Sequence, residues 1–91
     1  MSEGITKEFL IVNTLGLHAR ASATLVRVAS RFRSEVVITK DGHSVNGKSI
    51  LGMMTLAAAK GTRINVTVQG DDEGAAIDAI GQCIIDKFGE D

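Results

Sequence analysis

Hydrophobic and polar positions along this chain change period several times, and each change marks an element. Lys7 to Asn13 contains Phe9-Leu10-Ile11-Val12, a nearly continuous apolar run. It predicts a strand with one face on helices and little exposure on the other. From Ala19 to about Arg31 the spacing becomes helical, with Ala21, Leu25, Val28, Ala29 and Phe32 on one side and Arg27, Arg31 and Arg33 on or beside the other. Glu35 to Thr39 is a β-branched strand, and Asp41-Gly42 is a hairpin signal that returns the chain through His43 to Asn46. Asn46-Gly47-Lys48-Ser49 breaks that strand, and a short helix follows through Leu56 with Ser49 at its N-cap.

Ala57 to Gly61 reads equally as a prolonged helix or as the loop that leaves it. Thr62 to Gln69 then alternates strictly, with Ile64, Val66 and Val68 facing inward. Gly70-Asp71-Asp72-Glu73 opens a last helix whose inner stripe is Ile77, Ile80, Ile84 and Phe88, widened by Ala76 and Cys83, with Gly89 just past its end. The order β-α-β-β-α-β-α predicts an α+β fold: an open-faced sandwich of one four-stranded, mainly antiparallel sheet with three helices on one face. Its 91 residues (1–91) make one domain.

Charge and composition narrow the function. A net charge of -1, no Trp or Tyr and only three Phe argue against a nucleic-acid binder. Cys83 is the lone cysteine, so no intramolecular disulfide forms. Met1-Ser2-Glu3-Gly4 lacks the basic and apolar regions of a signal peptide, and no apolar run is long enough to span a membrane, so a cytoplasmic location is expected.

Chemistry concentrates at Gly16-Leu17-His18-Ala19-Arg20. Gly16 permits a sharp strand-to-helix turn, which sets His18 at or just before the first helical residue. An anion there meets free amides from Ala19 and Arg20 at the positive end of the helix dipole. Arg20 adds a charged planar fork suited to phosphate oxygens. A neutral imidazole can attack a phosphoryl donor and later leave, so the stretch reads as a reversible phosphoryl-acceptor site. No second ligand accompanies His18, and His43 belongs to a hairpin, so a histidine metal site is not expected. Asp71, Asp72 and Glu73 are helix-start acids and not a catalytic pair. No glycine-rich nucleotide loop is present, so the phosphate must come from a partner.

On the short helix, Ile50, Leu51, Met53 and Met54 are apolar on more sides than one core stripe needs. Leu51 and Met54 are expected to be exposed as an adaptable docking surface. A phosphate on Ser49 would place about −1.5 to −2 charge at its edge.

Through Gly16–Arg20 and Lys48-Ser49-Ile50-Leu51-Gly52-Met53-Met54, the chain resembles the HPr family, the histidine phosphocarriers of the bacterial phosphoenolpyruvate-dependent phosphotransferase system. The likeness extends over essentially the whole chain, including Ala59-Lys60-Gly61. It implies that His18 accepts a phosphoryl group from enzyme I and passes it to IIA components of sugar permeases, with Arg20 stabilising the travelling charge. It implies that Ser49 is the regulatory serine of an HPr kinase/phosphorylase, and that Arg27, Ile50, Leu51 and Met54 dock partners. It implies a monomer without cofactor or metal, a stoichiometric carrier more than an enzyme. The alternatives are a regulatory, nitrogen-type or incomplete-system relative that signals without sugar transport, and a small α/β binding module without phosphotransfer. The chain departs from the family at Ala21, where the pattern has proline. Alanine leaves an amide where anions are held and loosens the first helical turn, so a more mobile loop is expected.

Overall fold

The computed structural model describes residues 3–90; the Met1-Ser2 part of the polar N-terminus lies outside them. The chain order is β1 (Ile5–Leu10), α1 (Ala19–Ala29), β2 (Glu35–Lys40), β3 (His43–Asn46), α2 (Ile50–Thr55), β4 (Arg63–Gln69) and α3 (Glu73–Ile85), followed by a 3₁₀ turn at Lys87–Gly89. The strands lie in the order β1-β4-β2-β3, and every neighbouring pair is antiparallel. This is the expected α+β architecture.

Alternation builds the layers. Val36, Ile38, Ile64, Val66 and Val68 are buried on the inner face with Leu25 and Ala29 of α1, Met53 of α2, and Ile77, Ile80 and Ile84 of α3. Helix α3 packs on β1 and β4 and against α1, and α1 packs in turn against α2. The other face of the sheet is solvated, with Thr6 paired to Thr67 and Glu8 to Arg63 across β1 and β4.

Three expectations change in detail, and one left open is resolved. Strand β1 begins earlier than Lys7 and leaves the sheet earlier than Asn13, because Ile5 and Thr6 find partners in Val68 and Thr67. Beyond Leu10, only Ile11 still pairs, donating to Thr62 O and accepting from Gly61. Its outer face is not covered, and Leu10 is exposed there. The segment Ala57–Gly61 is a loop. Ala57 takes a left-handed φ of 50°, and the Lys40 ammonium donates to the carbonyls of Leu56 and Ala57, so a cation satisfies the helix end.

The last helix also stops short. Ile85 ends it, and Phe88 reaches the core from outside the helix, through left-handed φ of 58° at Lys87 and 56° at Phe88. Phe88 is only 5% exposed, so burial of its ring offsets that backbone cost. Cys83 is half-buried at the edge of the core, and Gly81 occupies the inner line, where the Phe9 ring packs close. Burial pushes the Cys83 thiol pKa up, with Asp86 adding to the rise.

Asp72 does not cap its own helix through its side chain. It turns back to accept from the Arg33 amide at 2.9 Å, the Ser34 amide at 3.0 Å and the Ser34 hydroxyl. One carboxylate thus pins the α1–β2 connection to the start of α3.

Candidate functional site

The loop between β1 and α1 is shaped by its contacts with the Ala57–Gly61 loop. Gly16 has φ +68°, and a Cβ there would lie 2.5 Å from the Ala58 carbonyl oxygen. The Leu17 amide donates to that same oxygen at 2.9 Å. Only glycine lets the backbones approach this closely. The chain then extends through His18 (φ −72°, ψ 180°), which is the N-cap residue of α1. Ser22 donates to His18 O at 2.8 Å as the first bond of the helix, so the Ala19, Arg20 and Ala21 amides precede the ladder and have no acceptor within it.

The His18 side chain is 25% exposed, and its Nε2 lies 2.8 and 3.1 Å from the two carboxylate oxygens of Glu90. Arg20 Nε stands 3.6 Å from Glu90 Oε2, on a side chain that is 74% exposed. The carboxylate therefore sits between the imidazole and the guanidinium. Behind it is Asn13, fully buried, whose Nδ2 donates to Gly16 O at 2.9 Å and to Glu90 Oε1 at 2.7 Å. The hydrogen bonds from His18 and then Asn13, with further help from nearby charge, hold the Glu90 carboxyl below the usual carboxylate range. A carboxylate only accepts, so the contact assigns the ring hydrogen to Nε2 and leaves the lone pair of the neutral ring on Nδ1.

Residues further along α1 and on α2 extend this surface. Thr24 Oγ1 donates to Arg20 O, and Arg27 Nη2 donates to Thr24 Oγ1, so Arg20 and Arg27 share one exposed stripe. Ser49 caps α2, its Oγ accepting from the Gly52 amide at 3.0 Å. Met53 is buried, while Ile50, Leu51 and Met54 are exposed, Leu51 to 74%. A shallow groove of about 260 Å3, lined by Leu15, Leu17, His18 and Ala57 to Ala59, runs from the imidazole to the segment that follows α2. A larger groove of about 430 Å3 lies over β2 and β3, floored by Val36, Val37 and Val45. It contains none of these residues, and Lys48 at its rim donates to Phe32 O. His43 is an exposed hairpin residue on β3. Among the described residues no group of three or more His, Cys, Asp or Glu side chains is placed to hold a metal.

Sequence reasoning missed Asn13, Glu90 and Leu15. Glu90 is separated from His18 by 72 positions and follows an irregular turn, so no periodic signal announces it. Asn13 carried a weak one: a polar residue that ends an apolar run just before a glycine turn.

Known proteins share this arrangement of elements. The chain matches the family model "PTS HPr component phosphorylation site" over residues 5–86. It is 54% identical over 80 residues to the phosphocarrier protein HPr of Neisseria meningitidis serogroup B, covering 88% of this chain and 90% of that one. The crystal structure of HPr-C-His from Thermoanaerobacter tengcongensis superposes with a TM-score of 0.92 at 41% identity, covering 96% of this chain and 98% of the other. An HPr dimer from the same organism matches with a TM-score of 0.77 at 42% identity, over 99% of this chain and all of that one. A matching family model over most of the chain, close relatives and a near-identical fold place it: this chain belongs to the HPr family of phosphocarriers of the phosphotransferase system.

Proposed function

We propose that this chain carries a phosphoryl group on His18, accepting it from enzyme I and delivering it to IIA domains of sugar permeases. The supporting observation is the placement of the imidazole at the N-cap of α1, partly open to solvent, with the free amides of Ala19 and Arg20 in the same turn. As the N–P bond forms at His18, negative charge arrives where those amides and the Arg20 guanidinium can accept it. In this reading Arg20 leaves its loose, exposed contact with Glu90 for the phosphoryl oxygens. An exposed pair at 3.6 Å holds it weakly, so little opposes that exchange.

The docking surface is Arg27 with Ile50, Leu51 and Met54. The exposed apolar side chains suit a dry contact, and the α1 stripe supplies cations. A kinase acting on Ser49 would add charge beside Leu51 and disturb docking more than folding, because a helix N-terminus tolerates an anion. In this reading the protein works as a single-domain monomer in the cytoplasm, and the contacts among His18, Arg20, Asn13 and Glu90 within one chain are compatible with it. It requires no cofactor and is a stoichiometric intermediate, restored only when a second partner removes the phosphate. A regulatory role without sugar transport would use the same His18 chemistry and differ only in the receiving protein.

Intact-mass measurement after incubation with phosphoenolpyruvate and enzyme I tests the acceptor. One acid-labile phosphate is expected on the parent and none on His18→Ala. A phosphate that survives in the mutant refutes the assignment.

A further inference from the structure

We propose that Lys40 is a positioning residue for phosphoryl transfer, which grips the carbonyls on either side of Ala57 and so fixes the loop against which the His18 turn is built. This rests on the phosphoacceptor reading of His18. Lys40 is the last residue of β2, paired with His43 across the hairpin. Its Nζ donates to Leu56 O at 3.1 Å and to Ala57 O at 3.3 Å. Those carbonyls belong to the peptide planes before and after the Ala57 Cα, so one ammonium restrains φ and ψ of that residue together.

Ala57 needs the restraint. Its φ of 50° lies in the left-handed region, where a Cβ is disfavoured and a residue stays only if its surroundings demand it. Alanine is also the strongest helix former, so its own preference is to continue α2. Helix α2 has six residues and no basic side chain in its last turn. So short a helix has little stability of its own, and its end carbonyls take their cation from β2 instead.

The effect reaches His18 through backbone contacts. The turn at Ala57 directs Ala58 O to the Leu17 amide, a bond of 2.9 Å, and Ala58 is itself buried. Gly16 packs on Ala58 and Ala59, and the His18 amide donates to Gly16 O at 2.9 Å. Ala57 to Ala59 also wall the groove beside the imidazole. If Ala57 relaxes toward right-handed backbone, Ala58 O turns away from Leu17, and the imidazole loses its register with the free amides of Ala19 and Arg20. Transfer depends on that register, because a small misplacement of a reacting group is costly. Lys40 therefore acts on transfer through Ala57 and not by contact with the reacting group.

The experiment is a cycle on the full chain: Lys40→Met, Ala57→Gly and the double variant, with Lys40→Arg as the conservative change. Hydrogen exchange of the Leu17 amide, measured by NMR relative to the Val66 amide in the centre of the sheet, separates the loop contact from global stability. Transfer from phosphoenolpyruvate and enzyme I is measured on the same proteins at a saturating concentration of the chain. In Lys40→Met the relative protection of Leu17 should fall roughly five- to tenfold, the scale of a charge-assisted hydrogen bond lost from a partly exposed site, and transfer should fall several-fold. Lys40→Arg should keep both near the parent values. The double variant should recover most of both, because glycine takes positive φ without a grip. A merely structural Lys40 would lower the melting temperature and leave the relative Leu17 protection and the saturating transfer rate unmoved; that result overturns the proposal, as does lost protection without lost transfer. The glycine background keeps the test decisive if Lys40→Met folds poorly: there the substitution should change neither reading, and a several-fold loss would overturn the role of Ala57. A parent that takes up no phosphate on His18 overturns the acceptor reading and this proposal together, whereas a normally phosphorylated parent with an unaffected Lys40→Met overturns the positioning role alone.

Discussion

Replacing Gly16 by alanine probes the site loop with a built-in control. Both Gly16 (φ +68°) and Gly42 (φ +79°) occupy the left-handed region, where an L side chain costs about 1–2 kcal/mol. At Gly42 the new Cβ meets nothing within 4 Å, whereas at Gly16 it would lie 2.5 Å from Ala58 O and 2.9 Å from Ala59 Cα. Those are backbone atoms, one of them the acceptor of the Leu17 amide, so the loop must shift. Overpacking of this kind costs a further ~1–3 kcal/mol, for a total of about 2–5 kcal/mol at Gly16. The unfolded-state effect of adding a methyl is common to both variants and cancels in the comparison. For a domain of this size each kcal/mol moves the melting temperature by about 4–8 °C, so Gly16→Ala should lose at least ~8 °C, and more than Gly42→Ala. Urea unfolding and thermal melts of the two variants measure the difference. Equal losses at the two positions would show that the close approach of the two loops is not what requires glycine at Gly16.

Three further outcomes follow from the contacts. Asp72→Asn should destabilise the fold at neutral pH by weakening the clamp on Arg33 and Ser34. The hydrogen bonds of Asp72, the Ser34 hydroxyl foremost, lower its pKa from 3.8. Its stabilisation is therefore complete above that value and is lost as pH falls through the lower folded one, so the parent-minus-mutant difference in urea midpoint should shrink in acid below about pH 4. Ser49→Ala should cost ~1 kcal/mol through loss of the α2 cap, while Ser49→Asp, which retains a capping oxygen, should unfold near the parent midpoint yet dock partners more weakly in a titration. Ala21→Pro should raise stability by roughly 0.4–1 kcal/mol through the unfolded state and speed transfer if the loop is mobile, because the Ala21 amide precedes the helix ladder and is not needed by it. A lower melting temperature would mean that the fully buried Ala21 site has no room for the ring.

Much of the fold is legible because its signals are local. Alternation at Ile64, Val66 and Val68 marks both the strand and its inner face, and Asp41-Gly42 forms the hairpin in the expected place. The position of His18 at the head of a helix follows from Gly16 and from the change of period after it. Parts of the site that depend on chain reversal are not legible in this way. Glu90 meets His18 only because Lys87 and Phe88 adopt left-handed backbone, a choice made by burial of one ring rather than by propensity. Phe88 falls on the extrapolated stripe of α3 and yet arrives by another path, so the pattern identified its burial and not its backbone. Ala57 is similar: alanine favours a helix, but the Lys40 ammonium at the carbonyls of Leu56 and Ala57 terminates it.

Carriage, as distinct from mere acceptance, is the central claim, and a chase measures it. The chain is phosphorylated with labelled phosphoenolpyruvate and enzyme I, freed of both, and mixed with a IIA domain or with unlabelled enzyme I and pyruvate. Label should enter at His18, remain acid-labile, and leave to either recipient, with transfer strongly reduced in Arg20→Ala. Label that enters and then departs only by hydrolysis, at the same rate with or without a recipient, would contradict the account.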